Sequence, residues 1–187
     1  MALAEVSQSV NTTYLTISEG FIVSRAKTHL AGYEPYTRKD GSIGYQRKYA
    51  SVDGYLTKVE LRQTDFGKRW AFTLADAGQN QQLELPYDSV YAKYIILALA
   101  NEACDYTQAI TVKPYYYIPK GKDKHSKGVT VSQNAVKVPW KYERDDLPKW
   151  NEITLKGQKT WDNSDELAFL ENVVSKDILP RIQPLPF

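Results

Sequence analysis

One short segment, Gly32–Tyr49, combines aromatic rings and cations in a way that suits a flat, negatively charged ligand. Its sequence, GYEPYTRKDGSIGYQRKY, sets tyrosines beside arginines and lysines and has glycines where a chain would turn. Rings stack on nucleobases and cationic side chains contact phosphates, so this mixture is typical of surfaces that bind single-stranded nucleic acid. The candidate contacts in this segment are Tyr36, Arg38, Lys39, Tyr45, Arg47 and Lys48.

Two further segments concentrate positive charge. The first is TDFGKRW, a turn whose candidate contacts are Phe66, Lys68 and Arg69. The second is the loop KGKDKHSKG together with the preceding strand, where the candidates are Lys113, Tyr115, Tyr117, Lys120, Lys122, Lys124 and Lys127. Alternation with a buried Val112 turns Lys113, Tyr115 and Tyr117 outward. Lysines without arginine forks favour phosphate contact over base reading. Each of these loops, taken alone, is also compatible with a merely solvated loop.

The sequence contains no recognisable catalytic constellation. It has no nucleophile elbow, phosphate-binding glycine loop, HExxH or cysteine pair. The single cysteine, Cys104, is expected to pack as a small apolar residue. His29 and His125 are expected in loops, and the Asp145–Asp146 pair in a solvated turn. We therefore expect no enzyme, no cofactor and no metal site.

Composition and charge describe a chain with a real core and an uneven charge map. It has 187 residues and a formal net charge of +2. Residues 21–70 carry ten Lys and Arg against five Asp and Glu, and residues 111–141 carry seven against one, whereas 71–110 and 142–187 are acidic. Basic segments that meet in space would create a cationic surface. Neither a secretory leader nor an apolar run of membrane-spanning length is visible, so an intracellular protein without a membrane partner is expected.

The middle of the chain predicts a compact β-barrel. The segment from Tyr55 alternates with period two, with Tyr55, Thr57, Val59 and Leu61 on one face. Two strands follow, one with Trp70, Phe72 and Leu74 inside and one with Leu83 and Leu85 inside. A helix capped by Asp88 or Ser89 comes next, followed by two strands around Val112 and Val131. This order is that of an OB-fold, a five-stranded Greek-key barrel with a helix between its third and fourth strands.

Segments on both sides of the barrel complete a predicted division into residues 1–48, 49–140 and 141–187. The first part contains one or two strands after Tyr14 and a hairpin turning at Asp40–Gly41. The last part is acidic, with a helix capped by Asn163, carrying Glu166 at its third position and ending before Pro180. The fold class expected is thus mainly β with one or two helices and a C-terminal helical and extended tail.

The chain resembles the divergent OB-fold single-stranded DNA-binding proteins of bacteriophages and mobile elements. The likeness is carried by GYLTKVELRQTDFGKRWAFTLADAGQNQQLELP, the helix through Leu99, and TQAITVKPYYY. It implies a groove on the second and third barrel strands, flanked by the two lysine-bearing turns. Bacterial members end in an acidic tail with a final Pro-Phe that docks partners. Pro186–Phe187 matches that pair, but Arg181 stands where acids are expected, and Phe187 is the candidate docking residue.

The resemblance implies sequence-tolerant binding of single-stranded DNA in replication or recombination, in a bacterial or phage-infected cell. Replication or recombination proteins are the implied partners of the tail, and a homo-oligomer is compatible with this role. RNA remains open as the ligand, because neither base nor 2′-hydroxyl contacts can be read from the sequence. The alternative is a structural or assembly protein of a virion or complex, which would use the same barrel for protein contacts.

Overall fold

The computed structural model describes residues 12–155 and 157–182. This part of the protein is mainly β, with a ten-stranded mixed sheet, a separate two-stranded hairpin and two α-helices. Neither helix has the length and apolarity that crossing a membrane requires. In chain order the elements are β1 (Thr12–Ser18), β2 (Phe21–Ala26), β3 (Glu34–Thr37), β4 (Ile43–Tyr49), β5 (Val52–Thr64), β6 (Gly67–Asp76), β7 (Gln79–Pro86), α1 (Val90–Leu99), β8 (Ile110–Tyr117), β9 (Ser126–Gln133), β10 (Val136–Lys137), β11 (Asn151–Leu155), β12 (Gln158–Asp162) and α2 (Ser164–Val173).

The predicted three-strand meander is confirmed as β5, β6 and β7, which pair antiparallel in that order. Apolar residues point to one side, called the core face, where Phe72 lies opposite Val59 and Leu83. The other side is called the outer face. The expected alternation of β5 is wrong at its start, because the register shifts between Leu56 and Lys58. Leu56 is therefore buried with Val59, while Tyr55 faces outward.

The expected closed five-stranded barrel is not formed. The strands lie in the order β10-β9-β8-β5-β6-β7-β1-β2-β4-β3, as one open sheet. Closure would need the free edges of β7 and β9 to pair with each other. Instead β1 pairs with β7 in parallel, from Thr12 opposite Asn80 to Leu15 opposite Leu83, and β10 pairs with β9. Both edges are thus occupied by additional strands.

Helix α1 follows β7 as predicted, and Ser89 is its N-cap. The Ser89 hydroxyl accepts a hydrogen bond from the Tyr91 backbone N–H, which satisfies one of the unpaired donors of the first turn. Apolar residues cover more of its surface than the expected single stripe, since every residue from Ile95 to Leu99 is buried. The helix packs mainly on β9 and also contacts β7, so it covers the core between these two strands.

After a 3-10 turn, Arg144–Asp146, the tail forms a hairpin that the sequence pattern did not predict, β11 paired antiparallel with β12. The predicted second helix is confirmed, but Asn163 makes no side-chain cap. Asp162 takes that role, because its carboxylate accepts from the backbone N–H of Ser164. The chain also continues helically beyond the expected end, through a π-helical turn, Val174–Ile178, and a 3-10 turn, Leu179–Arg181.

One hydrophobic core draws on all three predicted segments. Leu15 and Ile22 come from the first, α1 and the meander from the second, and Leu170 and Ile178 from the third. The tail is therefore packed on the body of the protein along α2. Phe187 lies outside the described residues.

Candidate nucleic-acid interface

The basic, tyrosine-rich segment forms the predicted hairpin, β3–β4, at one end of the sheet. Its turn is closed by a hydrogen bond from the Arg38 backbone N–H to the Ser42 carbonyl, 2.8 Å long. Gly41 has a φ of 82°, which a residue with a side chain rarely adopts. Hydrogen bonds from the Ser42 hydroxyl and amide, and the nearby Arg38 charge, hold the pKa of Asp40 below its usual value. These hydrogen bonds and the left-handed glycine define the shape of the turn.

The hairpin does not present its candidate contacts on one face. Strand alternation places Tyr36 and Lys48 on the outer face, whereas Tyr45 and Arg47 lie on the core face. The Arg38 side chain lies beside Gly44 on the outer face, where a Cβ would be 2.8 Å from Arg38 Nε. Lys39 is exposed in the turn.

Two cation–aromatic pairs occupy the outer face of β2, β4 and β3. The Arg25 guanidinium lies 5.2 Å from the centre of the Tyr36 ring, and Lys48 Nζ lies 5.4 Å from the centre of the Phe21 ring. Phe21 and Arg25 belong to β2 and were not predicted as contacts. The sequence indicated these two residues only as part of a strand, FIVSRA, and not as ligand contacts. Pairing with β4 is what brings them next to the predicted residues.

The β1–β2 turn connects this face with the end of β8. A Cβ on Gly20 would lie 2.8 Å from the backbone nitrogen of Tyr116 and 2.9 Å from its Cβ, so only glycine allows the approach. Strands β2 and β8 also contact each other directly. The pairs of β2 and β4 therefore adjoin the tyrosines of β8.

The end of β8 does not follow the predicted alternation. Strand β8 pairs with β5 only from Ile110 to Val112. Its last residues therefore project past Val52, the first residue of β5. The same alternation would turn Tyr116 inward, but it is exposed and stacks on His125, with the ring centres 4.3 Å apart. Tyr117 is exposed as predicted.

Tyr115 is partly covered rather than presented to solvent. Its hydroxyl lies over Gly128 on the neighbouring strand, together with the Tyr94 ring of α1. Burial and the nearby Tyr94 and Tyr117 hydroxyls raise the pKa of Tyr115. This ring therefore supports α1 and is a poor stacking platform.

The predicted lysine loop between β8 and β9 is solvent-exposed. This holds for Lys113 on β8, for the loop lysines Lys120, Lys122 and Lys124, and for Lys127 at the start of β9. The loop begins directly after Tyr117 and returns past His125, which is stacked on Tyr116. Its charge is thus held next to the exposed rings.

The third predicted feature, the β5–β6 turn, lies at the other end of β5 from the strand's pairing with β8. Phe66 at its tip is 92% exposed. Its two cations face acids: Lys68 Nζ lies 3.6 Å from Glu171, and Arg69 Nε lies 3.8 Å from Glu84. The expected trough would bring this turn and the lysine loop together. Among the described residues, the hydrogen bonds, ion pairs and cation–π contacts of the turn's cations do not reach the lysine loop.

Two regions of the protein differ in whether their cations form ion pairs. On the outer face of β5, β6 and β7, the cations Lys58, Arg62 and Arg69 form a network with Glu60 and Glu84. By contrast, no ion pair within the described ranges involves a lysine or arginine of β2, the β3–β4 hairpin, or the loop between β8 and β9. The cations that adjoin the exposed rings thus form no ion pair among the described residues, and they are available to an anionic ligand.

We call this region the cation–aromatic surface. It consists of Phe21, Arg25, Tyr36, Arg38, Lys48, Tyr116, Tyr117, His125 and the lysines of the β8–β9 loop. No protein-family model, curated protein or solved structure matches the chain. The chemistry of the residues themselves is therefore the basis for a function. In the part of the chain that the structure describes, no group of His, Cys, Asp and Glu side chains is placed to hold a metal ion.

Proposed function

We propose that the protein binds single-stranded DNA with little sequence preference, through the cation–aromatic surface and without catalysing a reaction. The observation that carries the proposal is the pair of contacts Arg25–Tyr36 and Lys48–Phe21 on the outer face, where Tyr36 is half-buried and the other three residues are exposed. Each pair offers a ring for a base and a cation for the adjoining phosphate. Stacking of a base on such a ring contributes about 1–3 kcal/mol and tolerates any base.

The proposal favours a single strand over a duplex. In a duplex the faces of the bases are stacked on each other and only their edges are open in the grooves. Exposed rings such as Tyr117 would find no base face to stack on in a duplex. Only the lysines would then contribute to binding, through the phosphates. A flexible single strand can place its bases on the rings and its phosphates on the β8–β9 loop.

An OB-fold origin of the sheet forms part of the proposal. The strands β8, β5, β6 and β7 lie side by side in this order, which is the fourth-first-second-third order of a Greek key. Helix α1 lies in the long connection between the third and fourth of them. In this reading the ligand surface has moved from the second and third strands, whose outer face carries ion pairs, to the strands added at β2 and β4.

Replication or recombination is the proposed setting, because both expose single strands that a sequence-tolerant protein would cover. Docking of partner proteins through the tail remains part of the proposal, although α2 is packed on the body. The competing role is that of an assembly protein, which would form a stable oligomer whose state is indifferent to added oligonucleotide.

The experiment is a titration of fluorescein-labelled oligo-dT of about 16 nucleotides, the upper end of site sizes for an OB-fold. The same measurement is made with the matching duplex and with oligo-U, at several salt concentrations. We expect tight binding to the single strand, weaker binding to the duplex, and an affinity that falls as salt rises, because bound cations release counterions. If the protein binds neither oligo-dT nor oligo-U at low salt, the proposed function is refuted and the assembly role is favoured.

A further inference from the structure

A cavity of about 210 Å³ opens on the core face of the sheet, where the ends of β1, β4, β5 and β7 meet. Its floor is made of the core residues Leu15, Ile22 and Val52, and the Tyr49 ring forms a wall. Pockets for drug-sized ligands measure roughly 300–1,000 Å³. This cavity is smaller, and its size suits one flat ring system.

Polar groups line the mouth of the cavity above this apolar floor. Gln79 and Gln81 contribute amides, each with donors and an acceptor, and Thr13 and Ser51 contribute hydroxyls. A glutamine amide matches the paired donor and acceptor on the edge of a nucleobase. An apolar floor, an aromatic wall and amides at the rim are together the chemistry that an unstacked base requires.

Strand β4 links the cavity to the cation–aromatic surface. Lys48 points to the outer face, whereas Arg47 and Tyr49 point to the core face, with the guanidinium 5.2 Å from the Tyr49 ring centre. Strand β3 pairs with β4 only from Ile43 to Gln46. Beyond Gln46 no residue of β3 pairs with β4, and the chain before β3 lies beside Arg47, where a Cβ on Gly32 would be 3.5 Å from the guanidinium. The route proposed for one nucleotide, from the outer face to the cavity, therefore runs past Lys48 and Tyr49.

From this geometry we infer that the cavity takes up one base of the bound strand, with Tyr49 stacked on it, Gln79 and Gln81 on its edge, and Arg47 on its phosphate. The inference rests on the proposed function. It adds a base preference that the outer face alone does not provide, because a base edge presents a particular order of donors and acceptors to the two amides.

The test compares oligo-dT, oligo-dC and oligo-dA, of about 16 nucleotides each, for three proteins. For the unaltered protein we expect one homopolymer to bind roughly fivefold or more tightly than another, the range of one good edge contact. The first variant, Gln79→Ala with Gln81→Ala, removes the amides. The second, Thr13→Phe, fills the cavity from an exposed position of β1.

Both variants are expected to bind all three homopolymers within about twofold of each other, with an unchanged salt dependence, because the phosphate contacts are retained. Thermal unfolding of each variant verifies the fold. A preference that survives in either folded variant, or equal affinities in the unaltered protein, overturns the inference and leaves the proposed function standing. Lack of binding to every homopolymer refutes both.

Discussion

Gly20 packs directly on Tyr116, and this contact is what joins the β1–β2 turn to the end of β8. A Cβ at Gly20 would lie 2.8 Å from the Tyr116 backbone nitrogen, closer than non-bonded atoms approach each other. The obstacle is backbone, which cannot rotate away as the end of a side chain could. Gly20 also has a φ of 79°, in the left-handed region. The two halves of the cation–aromatic surface therefore meet at a position that requires glycine.

Substitution Gly20→Ala is expected to lower both stability and DNA affinity. The left-handed backbone alone costs about 1–2 kcal/mol for a residue with a Cβ. The clash with Tyr116 adds about 1–3 kcal/mol, as overpacking does in cores. Gly157→Ala is the matched control, because Gly157 has a φ of 80°, nothing within 4 Å of its Cβ position, and a place in the β11–β12 turn of the tail. Urea unfolding and oligo-dT binding measure both effects. Equal losses in the two variants would show that the contact is unimportant.

Removing the Phe21 ring is expected to weaken binding to single-stranded DNA. Phe21 is 43% exposed and paired with Lys48, so Phe21→Leu removes a stacking platform while keeping an apolar residue. We expect a loss of about 1–3 kcal/mol in binding free energy, the value of one stacked base. Tyr55→Leu is the control, because Tyr55 is 39% exposed on the outer face of β5, away from the proposed contacts. The measurement is anisotropy of labelled oligo-dT. A similar loss in both variants would contradict a localised surface.

Loop lysines are expected to account for part of the salt dependence. The double substitution Lys122→Ala and Lys124→Ala should reduce the slope of log affinity against log salt by roughly 1, since each phosphate contact with a single strand contributes about 0.7. Lys159→Ala with Lys176→Ala removes the same charge from exposed positions of the tail. That control should leave the slope nearly unchanged. Equal slopes in the two variants would mean that only net charge matters, not the loop.

Local chemistry in the sequence was sufficient to predict the meander, the β3–β4 turn and α1. Alternating residues such as Trp70 and Phe72 identify the face that is buried, because the side-chain period of a strand is two. Ser89 identifies the start of the helix, since its hydroxyl can satisfy a backbone donor there. These signals operate within a few residues and need no knowledge of the rest of the chain.

Long-range pairing decided what the sequence pattern missed. Nothing around Leu15 indicates that β1 will pair in parallel with β7, although this pairing keeps the barrel open. Tyr116 occupies an inward position of β8 by alternation, but β8 pairs with β5 only up to Val112, so Tyr116 lies beyond the paired region. Arg25 joins Tyr36 only through the pairing of β2 with β4. The composition of the surface therefore depends on which strands become neighbours.

A partly buried ion pair that the sequence did not reveal links α2 to α1, and its removal is expected to destabilise the protein. Lys93 Nζ lies 2.9 Å from Glu166, whose second carboxylate oxygen accepts a hydrogen bond from Trp150 Nε1 at 3.1 Å. Glu166 is only 6% exposed. Glu166→Ala leaves the Lys93 ammonium, whose side chain is 20% exposed, and the half-exposed indole without their acceptor. The expected loss in the free energy of unfolding is about 1–3 kcal/mol, the cost of leaving a partly buried polar group without its partner.

Glu152→Ala is the control for this effect, because Glu152 forms an ion pair with Lys159 on the exposed β11–β12 hairpin. Surface pairs contribute about 0–1 kcal/mol, so this variant should unfold almost as the unaltered protein does. Adding Lys93→Met to Glu166→Ala should restore part of the loss, because the unpaired charge is then removed together with its partner. Equal destabilisation by Glu152→Ala and Glu166→Ala would show that the tail is held by its apolar residues, Leu170 and Ile178 among them, and not by this pair.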